Sequence, residues 1–469
     1  MKIDYKKAHY QKKEAGYFED FILAILEKEG IEIDNLINHD NSSKNNNFKF
    51  DAILKNGFPA ITQEMVLLEI KYSNSPTFVL NYIQSYLNSG LKIPLVIITL
   101  INDSDLVELN KYDSVRVLGS TYISDLINKY PSEWWVFVAS CSDINNIKYD
   151  PSDKSVHVCN PPLAAVTIGK EISLVADKDT FKNISYIAEA DFKKRIKKFK
   201  NPAIFIGNGA SISFGSDTWE TLSDSVFDYL KPEYIDNKED VKKAIGNTNY
   251  SSTSMSKYLI DKKKYLDSIY YSLYRKYSKA MHVGGTLLRS IARIKFNNIT
   301  MPLISYNYDN FLEMDYEKAF SSKLSSVSSK RQDLKTMEPK VIHIHGILPY
   351  KKTSKRSKII LTLEEYYSTY KNNNWVVAKQ KEILSKRTCL FVGSSMSDLF
   401  QMSIINDVRK RHYSLEEPYS WKCFALLCLK DMSPKDIVAI YSYYFSKGVH
   451  IIVVDNYDEL PSKLSAMFS

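Results

Sequence analysis

The sequence has few cysteines, and none of them forms a CxxC pair. The five are Cys141, Cys159, Cys389, Cys423 and Cys428. An odd number at these spacings argues against a disulfide framework and against a zinc site made of cysteines alone. We therefore expect the cysteines to be small core residues.

Long apolar runs are also missing. No stretch approaches about 18 consecutive apolar residues, and the N-terminal segment MKIDYKKAHYQKKEAGYFED lacks the apolar core of a secretion signal. The sequence therefore predicts a cytoplasmic protein without membrane contact. With 469 residues, 44% of them apolar, the chain is long enough for two or three domains with packed cores.

The excess of basic over acidic side chains is modest. Lys and Arg number 63 against 54 Asp and Glu, which gives a formal net charge of +9. The lysine runs DFKKRIKKFK and KKTSKRSK lie far apart and are typical of solvated helix or loop faces. This balance permits contact with DNA but does not by itself indicate it.

Apolar strands alternate with helix-like segments in two parts of the chain, which predicts an α/β fold with two domains. The first part predicts an N-terminal domain over residues 1–150, and breakers such as NPPLA favour a connecting region over 151–185. The second part, 186–469, contains six short apolar strands of the type buried in a parallel, Rossmann-like sheet. Within it, the Tyr-, Leu- and Lys-rich stretch 219–295 predicts a helical insertion, and the polar cluster 320–331 predicts a loop.

Glycine is scarce as well, with 15 in the whole chain, yet two lie one residue apart in AIFIGNGASISFGS at 203–216. The pattern predicts a buried strand that ends in Gly-x-Gly and continues into a helix. Glycines at such a point let an anion approach the main-chain N–H groups, so Gly207 and Gly209 indicate a nucleotide phosphate site. A simple turn is the alternative.

Polar clusters follow three further apolar strands, namely SYNYD, HIHG and GSSMSD. Because ligands of open parallel sheets collect beyond the carboxyl ends of the strands, we expect all four clusters to share one site. In HIHG, His343 and His345 are expected on one face of a strand, where a metal pair is an alternative use for them. Asn307 in SYNYD has the alternative of capping a helix that begins near Asp309.

These motifs resemble those of the sirtuin family, and in particular its sirtuin-like NAD hydrolases of bacterial antiphage defence. GNGAS stands where that family has its Gly-Ala-Gly-x-Ser turn. YNYD resembles its Gln-Asn-x-Asp motif, IHG its catalytic His-Gly and GSS its Gly-Thr-Ser motif. The four occur in family order over about 203–398, and ISYNYDNFLE and TLEEYY resemble the defence branch in particular.

The resemblance implies NAD as the substrate and assigns residues to it. Asn307 and Asp309 would face the nicotinamide ribose and amide, and His345 would be the catalytic base. The residues that the resemblance implies for the pyrophosphate and the adenosine side are Gly207, Gly209, Ala210 and Ser211, and Gly393, Ser394 and Ser395. Cleavage at the ribose creates an oxocarbenium-like centre, which suits a polar group on the ribose, a water and a base of near-neutral pKa.

Two departures from the family bear on which molecule accepts the ADP-ribosyl group. Protein-deacylating sirtuins carry a Phe-Arg pair after the glycine turn and a four-cysteine zinc module, whereas GSDTWETL follows the turn here and no cysteine quartet exists. Water is therefore the expected acceptor.

The N-terminal segments FKFDAIL and VLLEIKYS place Asp51 before one strand and Glu69 and Lys71 on one face of another. The helix GYFEDFILAIL adds Glu19. Such an array would bind Mg²⁺ and activate a water, and it resembles the PD-(D/E)xK restriction-endonuclease-like fold. A surface ion pair between Glu69 and Lys71 is the alternative.

Together these patterns predict an NAD glycohydrolase of antiphage defence that depletes cellular NAD. A toxic activity of this kind requires gating. The candidates are homo-oligomerisation, DNA sensed through the nuclease-like domain, or a partner protein such as an ATPase or an Argonaute-type sensor. The alternative is a Mg²⁺-dependent DNase whose sirtuin-like domain senses NAD or ADP-ribose.

Overall fold

The computed structural model describes residues 5–34, 50–58, 61–62, 64–141, 147–150, 155–158, 162–168, 173–175, 178–228, 237–244, 249–259, 262–277, 286–336, 339–351, 359–371, 374–396, 398–414, 423–430 and 432–469. These residues divide into two compact units. Unit 1 falls within Met1–Ile187 and Ser433–Ser446, and unit 2 within Ala188–Met432 and Lys447–Ser469. Of the five cysteines, Cys159 lies outside the described residues, while Cys141, Cys389 and Cys423 are buried.

Unit 1 has the following elements, in chain order: α1 (Tyr5–Lys28), β1 (Ile33–Asp34), β2 (Ala52–Leu54), β3 (Val66–Lys71), α2 (Pro76–Asn88), β4 (Leu95–Thr99), α3 (Leu106–Leu109), β5 (Val115–Leu118), α4 (Ser120–Lys129), α5 (Pro131–Cys141), β6 (Ile147–Asp150), β7 (Ser155–Val158), α6 (Leu163–Ile168), β8 (Ser173–Val175), the first part of α7 (Lys178–Phe199) and, later in the chain, α18 (Pro434–Ser446).

The main sheet of unit 1 is mixed, with the strand order β1-β2-β3-β4-β5. The first three strands pair antiparallel, and β3, β4 and β5 pair parallel. Apolar residues of α1 such as Phe18 and Ile22 share a buried cluster with Leu68 of β3 and Val96 of β4. The same packing brings Glu19 of α1 close enough to Asp51 and Glu69 for their charges to raise its pKa.

Unit 2 has the second part of α7 and then these elements: β9 (Pro202–Ile206), α8 (Trp219–Asp228), α9 (Lys238–Ala244), α10 (Asn249–Leu259), α11 (Lys262–Tyr274), α12 (Leu287–Asn297), β10 (Leu303–Ser305), α13 (Phe311–Phe320), β11 (Ser325–Val327), α14 (Lys330–Lys335), β12 (Lys340–His343), α15 (Leu363–Lys371), α16 (Trp375–Lys386), β13 (Thr388–Val392), α17 (Leu399–Ser414), β14 (Cys423–Cys428), β15 (Val449–Val454) and α19 (Leu460–Phe468).

The sheet of unit 2 has seven parallel strands in the order β11-β12-β10-β9-β13-β14-β15. The strands are short and apolar because helices cover both faces, as in other parallel sheets. Ile204 and Ile206 contribute to a core cluster on one face, while Phe205 stacks on Phe391 with ring centroids 4.7 Å apart. The predicted α/β fold with a parallel C-terminal sheet is confirmed.

One prediction for this sheet was wrong. The polar cluster 320–331 contains the edge strand β11 and the first residues of α14 rather than only a loop. The strand is Ser-Ser-Val, and only Val327 is fully buried. A three-residue edge strand needs few apolar side chains, so its composition resembles that of a loop.

The predicted helical insertion is also confirmed, since α8 to α12 lie between β9 and β10. Arg289 of α12 forms a two-pronged ion pair with Asp315 of α13, with N–O distances of 2.7 and 2.6 Å. Asp217, just before α8, is buried and bonds Arg275 at 2.8 Å and Lys276 at 2.6 Å. These ion pairs link α12 to α13 and the segment before α8 to the residues that follow α11. No helix in the described part of the chain is long and apolar enough to cross a bilayer.

Candidate active site

The four polar clusters follow four neighbouring strands, in the spatial order β12, β10, β9, β13. Because all four strands are parallel, their carboxyl ends meet at the same edge of the sheet. The register pairs Leu303 with Ile204 and Ser305 with His343, so the segments beyond these strands begin at matching heights. The tertiary structure therefore brings the clusters together as predicted.

The glycine turn after β9 packs directly against the turn after β13. A Cβ atom on Gly207 would lie 2.5 Å from the carbonyl oxygen of Gly393, and one on Gly209 would lie 2.8 Å from the same oxygen. Gly393 itself has a φ of +64°. The glycines are thus required for close approach of two protein backbones, a need that the sequence did not distinguish from room for a ligand.

The main-chain N–H groups of this turn are already engaged. Those of Gly207, Gly209, Ala210 and Ser211 donate to carbonyl groups of the turn itself or of the β13 end, over 2.8–3.1 Å. A role for these four residues in holding a pyrophosphate stays a prediction. In the structure this turn supports Asn307, whose side chain bonds the Gly207 carbonyl and Ser211 Oγ.

Asn307, Asp309 and Ser211 form one buried hydrogen-bonded group. Asn307 Nδ2 donates to Ser211 Oγ at 2.9 Å and to the Gly207 carbonyl at 3.1 Å, and Ser211 Oγ donates to Asp309 Oδ1 at 3.1 Å. Asp309 Oδ1 also accepts the Phe311 N–H at the start of α13. Asn310 is at the N-cap position of α13, and the Asn307 side chain bonds Ser211 and Gly207 instead, so the alternative of Asn307 as the helix cap was wrong.

Two oxygens of this group have no hydrogen-bond partner among the described residues, although both are buried. They are Asn307 Oδ1 and Asp309 Oδ2. Burial raises the pKa of Asp309 to about 6, against the opposing hydrogen bonds from the Phe311 N–H and Ser211. Buried polar atoms are nearly always satisfied, so these two oxygens are candidates to accept hydrogen bonds from a ligand.

His345 lies just beyond β12, fully buried between aromatic rings. The Tyr306 ring meets it edge-on with centroids 5.4 Å apart, and the Tyr366 hydroxyl lies 3.2 Å from its Nδ1. Nε2 has no partner at hydrogen-bond distance and lies 3.7 Å from Asp398 Oδ2. Burial lowers the pKa of His345 below its ordinary value, while the Asp398 carboxylate opposes this shift. The imidazole is therefore neutral at pH 7, as a general base must be.

His343 has different surroundings, so the expectation that the two histidines share a strand face was wrong. β12 ends at His343, and the chain turns before Gly346, whose φ is +84°. His343 Nδ1 bonds the Asn307 carbonyl at 3.1 Å and Nε2 bonds Glu313 at 2.7 Å. Burial alone would lower the pKa of His343, but Glu313 and the Asn307 carbonyl raise it. A carbonyl and a carboxylate both accept, so His343 is an imidazolium that fixes the main chain of Asn307.

The residues predicted for the adenosine side lie in the turn after β13. Gly393 contacts Ala210, and Ser394 Oγ accepts the Met396 N–H at 3.1 Å. Ser395 is exposed. Their contacts with a nucleotide stay a prediction.

Sequence reasoning missed three residues that surround His345 and Asn307: Tyr366, Asp398 and Glu313. Tyr366 belongs to TLEEYY and Asp398 closes GSSMSD, so both lay inside quoted motifs without an assigned role. Glu313 is the last residue of ISYNYDNFLE and also had no assigned role, because only the tertiary structure brings it to His343.

In unit 1 the predicted carboxylates also gather in one place. Asp51 Oδ2 accepts the Ile70 N–H at 2.6 Å, and the buried Glu69 bonds Lys71. Burial, followed by the neighbouring Asp51 charge, raises the pKa of Glu19 to about 8 and that of Glu69 to about 7. The four charged groups thus form one electrostatically linked cluster, and the alternative of a surface ion pair was wrong.

This cluster does not fit a magnesium site as it stands. Within the described ranges, no three His, Cys, Asp or Glu side chains are grouped so as to hold a metal ion. Asp51 Oδ2 accepts the Ile70 N–H and Glu69 Oε1 is bonded by Lys71, which leaves Glu69 Oε2 as a buried oxygen without a partner among the described residues. The predicted Mg²⁺ is therefore not supported, and the roles of Glu19 and Lys71 in catalysis stay predictions.

Comparison with known families gives one match. A model of the SIR2-like domain matches residues 302–433, which contain YNYD, IHG and GSS but not the glycine turn. No curated protein matches the chain. Members of the SIR2-like family are NAD-dependent enzymes. The C-terminal part of this chain thus contains a SIR2-like domain at residues 302–433, and that domain suggests an NAD-related function.

Proposed function

We propose that unit 2 hydrolyses NAD to nicotinamide and ADP-ribose. In this reaction the bond between the nicotinamide nitrogen and ribose C1′ breaks, and its electron pair returns to the pyridinium ring. A water adds to C1′ and gives up a proton. The site must therefore hold the ribose, stabilise a cationic C1′ and accept one proton.

The observation that carries this proposal is that two buried oxygens after β10 lack a partner among the described residues, while a neutral buried histidine follows the neighbouring strand β12. Asn307 Oδ1 and Asp309 Oδ2 can accept hydrogen bonds from ribose hydroxyls or the nicotinamide amide. A carboxylate at Asp309 also favours positive charge nearby. His345 Nε2, which is buried and has no hydrogen-bond partner among the described residues, can accept the proton of the attacking water.

Water is the proposed acceptor rather than an acyl-lysine peptide. The chain has neither a four-cysteine zinc module nor a Phe-Arg pair after the glycine turn. The segment that replaces this pair, GSDTWETL, leads into α8 and is held there by the buried ion pairs of Asp217. A peptide deacylase would convert an acetylated peptide, whereas we expect no such conversion.

We further propose that this activity serves antiphage defence by draining cellular NAD, under the control of a second component. The support is the likeness of ISYNYDNFLE and TLEEYY to that branch and the presence of a separate unit 1. The candidates for control are DNA at unit 1, a homo-oligomer, or a partner of the ATPase or Argonaute type.

The test is nicotinamide release from NAD by the full chain and by Asn307→Ala and His345→Ala, with and without added DNA. We expect turnover in the wild type and its loss in both variants. Lys71→Ala, in the other unit, should keep turnover once the enzyme is active. Full turnover by His345→Ala would contradict the assignment of the base.

A second arm separates hydrolysis from sensing. Calorimetric titration with NAD should show binding by the wild type that is weakened in Asn307→Ala, and incubation with plasmid and Mg²⁺ should leave the DNA intact. NAD binding without turnover, combined with plasmid cleavage that Lys71→Ala abolishes, would favour the alternative of a DNase with an NAD sensor.

A further inference from the structure

A tyrosine and an aspartate form a hydrogen-bonded chain with His345. Tyr366, in α15, lies with its hydroxyl 3.2 Å from His345 Nδ1 and 3.2 Å from Asp398 Oδ2. The other oxygen of Asp398, Oδ1, accepts the N–H groups of Phe400 and Gln401 at 2.8 and 2.9 Å at the start of α17. Asp398 is thus fixed by the helix that it caps.

The number of protons available to these three hydrogen-bonded side chains determines the tautomer of His345. A carboxylate can only accept, so the single hydroxyl proton of Tyr366 points to Asp398 Oδ2. The hydroxyl oxygen can then only accept from His345 at this contact. Nδ1 of His345 must therefore carry the proton, which leaves the lone pair on Nε2.

The packing keeps this geometry in place. The Tyr366 ring stacks on the Phe400 ring with centroids 4.7 Å apart and planes 10° apart, and it meets the His345 ring edge-on at 5.0 Å. Other rings around the imidazole are those of Tyr306 and Tyr308. Among the groups described around His345, Asp398 is the charged one, and its Oδ2 lies 3.7 Å from Nε2.

We infer that Tyr366 and Asp398 are positioning residues that hold His345 as the Nδ1–H tautomer, with Nε2 as the proton acceptor of the reaction. When Nε2 takes a proton, the imidazolium keeps its Nδ1–H, which donates a hydrogen bond to the Tyr366 hydroxyl oxygen. The nearby Asp398 carboxylate stabilises the positive charge of the ring. The part of this inference that concerns the reaction rests on the proposed NAD hydrolysis. The tautomer itself does not.

The substitution Asp398→Asn tests the inference sharply because the helix cap fixes its orientation. The Phe400 and Gln401 N–H groups require an acceptor, so the side-chain oxygen of the new residue stays with them and its NH₂ group faces Tyr366. The Tyr366 hydroxyl then accepts from this NH₂ and donates to His345 Nδ1. The proton of the neutral imidazole moves to Nε2, and the base is lost.

The first measurement is the tautomer, read from the ¹⁵N shifts of labelled histidine in the full chain. Among the eight histidines, the His345 signal is assigned by its absence in His345→Gln. We expect Nδ1–H in the wild type and Nε2–H in Asp398→Asn. Tyr366→Phe should show a mixture, since Nδ1–H loses its acceptor. Tyr367→Phe, the neighbouring exposed tyrosine of the same helix, is the matched control and should equal the wild type.

The second measurement is nicotinamide release against pH. We expect kcat to fall about tenfold in Tyr366→Phe, the effect of one lost hydrogen bond to a group that becomes charged, and further in Asp398→Asn. KM should change little. The acid limb of kcat should move to lower pH in Tyr366→Phe, because its imidazolium is less stabilised.

The outcomes separate the positioning roles of Tyr366 and Asp398 from the proposed NAD hydrolysis. An Nε2–H tautomer in the wild type, or an unchanged tautomer in Asp398→Asn, would overturn the inference whatever the activity. The expected tautomers in a protein that consumes no NAD under any condition would support the positioning roles and refute the proposed hydrolysis.

Discussion

Gly393→Ala tests whether the close contact of two turns builds the candidate site. Gly393 has a φ of +64°, and a Cβ there would overlap the main-chain nitrogen of Ala210 and lie 3.0 Å from its Cα. The positive φ costs an alanine about 1–2 kcal/mol. Overlap with main chain that cannot turn away adds about 1–3 kcal/mol. The sum, about 2–5 kcal/mol, should open the turn that carries Ser211.

Gly90→Ala is the matched control. Its φ is +72°, but nothing lies within 4 Å of the position of the new Cβ. Only the conformational cost applies, so the free energy of local opening should fall by about 1–2 kcal/mol. The two substitutions share the backbone strain and differ in the overlap with Ala210.

Hydrogen exchange measured by mass spectrometry follows each substitution on peptides around its own site. Peptides over the turns after β9 and β13 should lose about tenfold or more protection in Gly393→Ala beyond the loss seen around Gly90, since a tenfold change corresponds to about 1.4 kcal/mol. Nicotinamide release should fall as well, because Asn307 is bonded to the Gly207 carbonyl. Equal effects at the two glycines would refute the argument that backbone contact at Gly393 holds the site together.

Two further predictions concern buried charge. Asp217→Asn removes the charge that pairs with Arg275 and Lys276 and should destabilise unit 2 by about 1–3 kcal/mol in urea denaturation. Glu108→Gln, which breaks an exposed pair with Lys111, should leave the free energy of unfolding nearly unchanged, and an equal effect would argue against a role for the buried ion pairs. For Glu19, whose folded pKa of about 8 lies above its unfolded value, the stabilisation is complete below the unfolded pKa and is lost as pH rises through about 8. Exchange protection of β3 should therefore fall from pH 6 to pH 9 in the wild type but less in Glu19→Gln, and an identical fall would contradict burial of this carboxyl.

Parts of the site could be read from the chain because they depend on local chemistry. Short apolar strands followed by glycine, asparagine or histidine mark the carboxyl ends of a parallel sheet, and this predicted the neighbourhood of Gly207, Asn307, His345 and Gly393. Other parts depend on contacts across the fold. Nothing near His343 in the sequence indicates that its imidazole bonds the carboxylate of Glu313, which lies on a different element.

The tertiary structure changed the roles assigned to individual residues more than it changed their location. The sequence predicted that Gly207 and Gly209 make room for phosphate, and the structure shows that they also make room for Gly393. Asn307 could cap a helix by its residue type, yet its side chain bonds Gly207 and Ser211 instead, and Asn310 is at the N-cap position of α13. In each case the residue type allowed both uses, and the choice depends on which neighbour lies within 3 Å.

By itself, the sequence determined the α/β class, the parallel C-terminal sheet, its helical insertion and the set of polar residues at the strand ends. Hydrophobic periodicity and glycine placement are sufficient for this, because each depends on residues close in the chain. Only the tertiary structure decided which buried polar atoms lack a partner among the described residues, that His345 meets Tyr366 and Asp398, and that burial raises the pKa values of Glu19 and Glu69. Burial and hydrogen-bond partners depend on segments far apart in the sequence, and these set the protonation of every group at the site.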